Sequence, residues 1–508
     1  MATVSSSRLR RGLVTATVVA GAVLQVLDMT IANVALPHMQ AALGATPETV
    51  TWVLTSYILA SAVAMPITGW LEARMGRRNL FVLSVLMFTI SSAVCGAAHS
   101  MEVMVLARIV QGIFGAFIIP VGQAALLDSS PEEEWPRALL IWVMGMMAGP
   151  IMGPFIGGWI TDAYDWRWIF YVNVPFGCVI ALGGWLLLSS PPLEKRHFDM
   201  MGFLYLAVAL GAFQLLLDRG TPLDWFDSTE IIIEAGVAIA AAWMFIIHSG
   251  TAKAPLIPLA LYANRNLMLA SLFMLIAAGV VFGGTAMLAP LLQHLMGYDT
   301  LDTGLMMMPR AIASLVGLIV ASRLADRVDA RLFVALGLGL ICLSLWMLSG
   351  ISLEADGRLF IWSGAIQGFG TGITMMPVQV LAFQTLSAHL RTEGAAIFHL
   401  ARNLGSSFVI SMTSALLARN VQISHADLSA HIIPRPPNPA EAEFLAGLSG
   451  SATAALHMLD AEINRQALMI AYIDNFWIMM IGTVLVIPMA LLLSRSKPSD
   501  DVRVSVME

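Results

Sequence analysis

The chain has 508 residues, of which 58% are apolar and only 12% charged, about half the charged fraction of a soluble domain. It is therefore not a soluble protein, and it leaves no room for a soluble catalytic domain. The net charge of −6 is small, and the basic residues sit in small clusters between apolar runs, so no nucleic-acid-binding face is formed.

A membrane-spanning helix needs about 20 mostly apolar residues. Arg8, Arg10 and Arg11 precede the first such run, 12–36, which is longer than a signal-peptide core and lacks a clear cleavage site, so it is read as a retained span. It holds Asp28 and Asn33. Span 50–71 follows, then a short basic connector from Gly69 to Arg78, then spans 79–98 and 102–126. The last of these carries Arg108 and Gln111 in an R-x-x-Q-G pattern. Span 138–160 places small residues at Gly145, Gly149, Gly153 and Gly157, beside Pro150, Pro154 and Gly158. That four-residue spacing lays a smooth stripe along a helix and permits close helix contact, while the prolines bend it. The remaining spans are 168–189, 199–217, 230–248, 267–292, 303–324, 332–350, 359–384, 394–417 and 470–494, which predicts fourteen in all. Cys95, Cys178 and Cys342 fall inside spans without CxxC or CxxH spacing, so neither a disulfide framework nor a metal site is expected.

An even span count puts both termini on one side. About 18 Lys and Arg flank span ends on that side and about six on the other, so the side of the termini is expected to be cytoplasmic. The one long connector, 418–469, is Pro-rich over 433–439 and more helix-like from Ala440 to Gln466. It is placed outside, as a tolerated insertion or as a docking element for an external partner.

Two motifs recur. The basic connector returns as Ser322 to Arg331, 253 positions on, and the Arg108 motif returns as Gly364 to Gly368, 256 positions on, with Gly in the Arg place. This predicts an all-α membrane protein of two six-span halves in the same orientation, 1–190 and 267–508, with two inserted helices in 191–266. Parallel halves of this kind are a transporter arrangement, with the substrate site near the midplane between them.

The segment 27–37, LDMTIANVALP, the Gly69–Arg78 connector, the R-x-x-Q-G motif, the Gly149–Gly158 run GPIMGPFIGG and the segment 217–226, LDRGTPLDWF, together resemble the 14-span drug:proton antiporters of the major facilitator superfamily, and among them the EmrB-type exporters. The match is strongest over spans one to eight. One departure is Ala73, where the connector pattern has Asp, although Glu72 is adjacent and the second copy keeps Asp326.

An ionised carboxylate at the depth of Asp28 costs about 2.5–3.5 kcal/mol on insertion scales, so it is protonated, paired or facing a water-filled cavity. A proton and a cationic substrate would compete for such a group, which is antiport in its simplest form; the other reading is a carboxylate that only bonds neighbouring helices. Arg108 cannot deprotonate and needs an acceptor. The resemblance implies proton coupling at Arg108, with Asp28 a possible partner, against a structural Arg bonded to carbonyls. Gln111 is one turn along the same face. Substrate-cavity candidates are Asn33, Gln111, Gln367, Gln379, Arg402 and Asn403, among intramembrane polar residues that also include Arg310, His399 and Asp474. A conformational role is expected for Gly69, Arg74, Gly76, Arg77 and Arg78 and for Asp326, Arg327 and Arg331, whose charges at helix ends can pair across helices and favour one state. The Gly145–Gly158 stripe is expected to be a packing surface or a pivot of alternating access.

The function expected is proton-coupled efflux of amphipathic or hydrophobic compounds, with the proton gradient in place of a cofactor; no GxxxxGK[ST] loop is present. The alternative is an exporter of one metabolite or lipid-like compound. A membrane enzyme is disfavoured, because HExxH and GxSxG are absent. The resemblance further implies a bacterial inner membrane, a periplasmic adaptor protein and an outer-membrane channel.

Overall fold

The computed structural model describes residues 2–190, 193, 197–324, 328–431 and 452–492. Among these, the backbone satisfies its own hydrogen bonds almost wholly as helix, the arrangement that lipid requires of an uninterrupted span. The long helices are α1 (Ala2–Val34), α2 (Trp52–Met75), α3 (Arg77–Gly96), α4 (Met101–Ser129), α5 (Trp135–Ala163), α6 (Trp168–Leu187), α7 (Met200–Arg219), α8 (Thr229–Thr251), α9 (Arg265–Pro290), α10 (Thr300–Leu324), α11 (Ala330–Leu348), α12 (Gly357–Gln384), α13 (Arg391–Ala430) and α14 (Ala452–Val486). Each predicted span falls on one of them. Eleven are long and apolar enough to cross a bilayer by themselves. The others are α5, parts of which lie outside the described side chains, and α12 and α13, which carry Gln367, Gln379, His399, Arg402 and Asn403.

Local sequence sets the ends. Ser100 Oγ accepts the Val103 N–H at the start of α4, and Asn264 Oδ1 accepts the Leu267 N–H at the start of α9. Gly76 adopts φ +82° between α2 and α3, a backbone geometry that glycine reaches without strain.

Helices α1–α6 pack together, α9–α14 pack together, and the same neighbours recur: α1 on α5 and α9 on α13, α2 on α4 and α10 on α12, α3 on α6 and α11 on α14. The repeat reaches atomic detail. A Cβ on Gly112 would stand 2.4 Å from the Tyr57 carbonyl oxygen, and one on Gly368 would stand 2.0 Å from that of Arg310. Between the groups, α13 lies against α2 and α4, and α5 against α10 and α12. The inserted α7 and α8 pack on each other, with α7 reaching both α2 and α13. Asp199 holds this insert by accepting the Gly202 N–H, the Leu256 N–H and a bond from His248 Nε2. Outward faces such as Ile239, Trp243, Val179, Leu332 and Trp362 are exposed and apolar, a surface suited to lipid.

The closest backbone approaches identify the most sensitive small residues. A Cβ on Gly405 of α13 would lie 1.8 Å from the Leu275 carbonyl oxygen, whereas Gly482 has open space around it. Gly405→Ala is expected to cost about 1–3 kcal/mol through forced separation of α9 and α13, and Gly482→Ala to be neutral; thermal melting of the purified variants checks this.

Two expectations need revision. The small-residue stripe of α5 lies on α1 of the same group: Cβ atoms on Gly145, Gly149 and Gly153 would stand 2.3, 2.6 and 2.1 Å from Val19, Val26 and Thr30. It is therefore a packing surface inside one group, and Gly158 faces open space. Pro150 and Pro154 lie on α5, but their side chains are outside those described. The connector expected over 418–469 is helical at both ends, since α13 runs to Ala430 and α14 starts at Ala452. At 1.5 Å per residue their 40 and 35 residues span about 60 and 52 Å, well beyond the roughly 30 Å hydrocarbon core. His425 Nε2 lies 3.1 Å from Asp460 Oδ1, joining the two extensions. The Pro-rich segment 433–439 and residues 440–451 lie outside the described residues.

Candidate functional site

Within the first group, α1, α3, α4 and α6 converge on Asp28, which is 2% exposed. Arg108 Nη1 donates to Asp28 Oδ2 at 2.7 Å, Gln111 Nε2 to Oδ1 at 2.9 Å, and Asn173 Nδ2 to the same Oδ1 at 2.7 Å. Arg108 Nη1 also donates to Gln111 Oε1 at 2.8 Å and Nε to the Val53 carbonyl at 2.9 Å, and its guanidinium lies 4.4 Å from the Tyr57 ring centroid. Asn173 Nδ2 reaches Ser92 Oγ at 3.0 Å, and Ser92 donates on to the Phe170 carbonyl.

All three partners of Asp28 present donors to its two oxygens, a surround that suits a carboxylate. A protonated Asp28 would turn an O–H toward donors and leave the Arg108 charge buried without its counterion. Sequence reasoning reached Asp28, Arg108 and Gln111; it missed Asn173, Ser92 and Tyr57, which stand on other spans at no characteristic spacing.

A second cluster closes the two groups against each other on the side of the Gly69–Arg78 connector. Arg77 is buried and donates to Glu72 Oε1 at 2.6 Å and to Asp128 Oδ2 at 2.5 Å. The other Asp128 oxygen accepts from Arg391 of α13, whose guanidinium also stacks 4.7 Å from the Trp135 ring. Glu72 therefore takes the part the connector pattern gives to position 73. A Cβ on Gly69 would stand 2.0 Å from Glu393 Cγ, so glycine is what lets α13 lie on α2. Arg74 is exposed and stacks on Trp70; Arg78 stacks on Trp185, and its N–H meets Ser190 Oγ. Arg331 N–H caps onto Asp329, and Asp326 and Arg327 lie outside the described residues. Deeper along the same seam, Gln123 bridges the groups, donating to Gln379 Oε1 at 3.2 Å and meeting His399 Nε2 at 2.5 Å. The joining residues Asp128, Arg391 and Gln123 were legible only as charge or polarity near span ends.

The other cavity candidates do not form one cluster. Asn33 is exposed near the end of α1. Arg402 and Asn403 contact each other at 3.3 Å. Gln367 is buried with Nε2 unpartnered among the described residues.

A bundle of two repeated six-helix groups around a buried ion pair, with a charged clasp on one side, defines a membrane transporter. The chain belongs to the Major Facilitator Superfamily, whose family model matches residues 18–410. It is 33% identical over 459 residues to the multidrug export protein EmrB of Escherichia coli (strain K12), covering 89% of this chain and 90% of that protein. It is 31% identical to the fatty acid resistance protein FarB of Neisseria gonorrhoeae, over 81% of this chain and 82% of that one. These relatives bear out the EmrB-type resemblance. Its fold matches the proton:xylose symporter XylE with a TM-score of 0.62 at 13% identity, covering 97% of this chain and 98% of that one.

Proposed function

We propose that this protein is a proton-coupled exporter of small amphipathic or hydrophobic compounds that works by alternating access between its two six-helix groups. The observation that carries this reading is the all-donor surround of Asp28. Ionised Asp28 holds Arg108, Gln111 and Asn173 together; a proton arriving there releases them and favours the other conformation, and substrate binding drives the proton off again. One charge crossing 100 mV gives about 2.3 kcal/mol, enough for roughly a 50-fold gradient at about 1.4 kcal/mol per decade, so the proton gradient suffices without a nucleotide or another cofactor. Asp28 and Arg108 are the coupling residues, and the Gly69–Arg78 connector with Asp128 and Arg391 is the clasp that holds one state.

The reading places the chain in a bacterial inner membrane with both termini and the arginine-rich side in the cytoplasm, following the positive-inside rule. The joined extensions of α13 and α14 then rise on the periplasmic side and form the docking element for an adaptor protein, itself continuous with an outer-membrane channel. The likeness to the fatty acid resistance protein FarB is what favours the narrower alternative, export of one lipid-like compound, which is less supported than multidrug export.

The test is proton release. In inside-out vesicles with an acid interior, adding dyes, antibiotics or uncoupler-like compounds is expected to trigger proton efflux with the wild type and none with Asp28→Asn. Efflux retained in Asp28→Asn would move the coupling site elsewhere.

A further inference from the structure

The segment 217–226 closes α7 and turns the chain toward α8, and near its start stands another acid within a span, Asp218. Its Oδ1 accepts from Gln214 Nε2 at 3.1 Å, and Thr55 of α2 also bonds this carboxyl. Its Oδ2 is buried and has no partner among the described residues. The helices packed on this end of α7 bring Asp218 no counter-charge. From α2 comes Thr55; from α13 come Ser407, which meets Gln214 at 3.4 Å, and Ser411, which donates to the Leu217 carbonyl at 2.5 Å. The adjacent Arg219 is taken by the acids of α8, with Nη1 donating to Glu234 Oε1 at 2.8 Å and Nη2 to Glu230. A strained turn follows: Asp224 and Trp225 both adopt left-handed backbone, φ 55° and 53°, and the Trp225 N–H bonds back to the Gly220 carbonyl at 2.8 Å.

Asp218 is thus the inverse of Asp28. Asp28 has three donors on its two oxygens, one of them a guanidinium, whereas Asp218 has an amide, a hydroxyl and one idle oxygen. An ionised carboxylate in a span without a counter-charge is costly, and a neutral carboxyl with Oδ1 as its carbonyl and Oδ2 as its hydroxyl is not. The two acids are neighbours through one helix. Arg108 reaches α2 at the Val53 carbonyl and the Tyr57 ring. Thr55 stands between them, about 200° around the helix from each, so Asp28 and Asp218 lie at similar depth on opposite faces of α2. Thr55 and Gly69 are about 21 Å apart along α2, and Ser407 and Glu393 about 21 Å apart along α13. The end of α7 therefore bridges α2 and α13 at a matched distance from the clasp.

We propose that Asp218 is a second proton-binding residue of the exchange cycle, protonated at Oδ2 while α13 lies on α2 and ionised when these helices part and water enters between them. The O–H bond at Oδ2 breaks, its electron pair stays on the carboxylate, and the proton passes to that water. The proposal rests on the export reading and sets its proton count at two, one on each face of α2.

Infrared spectra of the full-length protein in lipid nanodiscs at neutral pH test the proton itself. The wild type is expected to show the C=O band of a protonated carboxyl, shifted in D2O and lost in Asp218→Asn. Gln214→Leu removes the donor to Oδ1 and is expected to move the same band to higher frequency. An amide replaces a neutral carboxyl without stranding a charge, so Asp218→Asn is expected to melt like the wild type; Gln214→Leu keeps the assignment testable if it does not. Inside-out vesicles with an acid interior test the use of the proton, with ethidium and acriflavine as probes. Protons released per dye taken up are expected to fall about twofold in Asp218→Asn and to be restored in Asp218→Glu. A carboxyl band unchanged in Asp218→Asn overturns the proposal, and so does an unchanged proton-to-dye ratio, which leaves export by Asp28 alone intact. No proton release with any compound in wild-type vesicles, while the band is present and lost in Asp218→Asn, sinks the export reading and leaves Asp218 a proton-binding residue.

Discussion

Asp28→Asn is expected to destabilise the protein by about 3–5 kcal/mol, because it strands the Arg108 guanidinium, itself 0% exposed, without its counterion. Arg108→Gln added to it removes the stranded charge, and a neutral network can then form among positions 28, 108, 111 and 173. The double variant is expected to recover most of the lost melting temperature and none of the proton release. This outcome separates two roles that a single substitution confounds. If the pair served only to hold α1, α4 and α6 together, restoring stability would restore transport. A double variant that melts like the wild type and still couples proton efflux to substrate would show that Asp28 is a structural residue.

The second large effect is expected at Gly69. Glu393 is 8% exposed and lies where a side chain at position 69 would go, so Gly69→Val lifts α13 from α2 and, with it, Arg391 from Asp128. The clasp side of the seam then opens. Ala396, 2% exposed and packed with Met65 and other first-group residues, reports the opening. In a background with Cys95, Cys178 and Cys342 replaced by Ser, Ala396→Cys is expected to react with a membrane-impermeant maleimide about tenfold faster, or more, when Gly69→Val is present. Equal rates would mean that the groups close without the α2–α13 contact.

The sequence made the spans legible because hydrocarbon imposes one rule on twenty residues at a time, and that rule survives without knowledge of neighbours. Asp28 and Arg108 were legible for the same reason, as charges where charge is expensive. Asn173 and Ser92 were not, since an amide or hydroxyl costs little in a helix and nothing local tells which of many such residues turns toward an acid. Glu72 was legible as a neighbour of the expected position, but only helix register decides that it, and not residue 73, meets Arg77. The small-residue stripe of α5 was legible as a contact surface, yet its partner is set by the bundle, which gives it α1 rather than the second group. Arg391 carries two meanings at once, topogenic charge and partner of Asp128, and a count of positive residues hears only the first.

Helix α13 carries Arg391 and Glu393 at one end and His425 near the other, with no break in its helical course. If the two groups rock as proposed, it acts as a rocker arm, whose fulcrum is the close crossing on α9 at Gly405. A tilt of about 10° about that crossing, acting over the roughly 30 Å to the far end given by the rise per residue, sweeps the His425 end by about 5 Å and moves the Arg391 end the opposite way. Under the proposed function, release of a salt bridge on one side of the membrane would be transmitted mechanically as a swing on the other, and a load placed on the far end would press back on the latch.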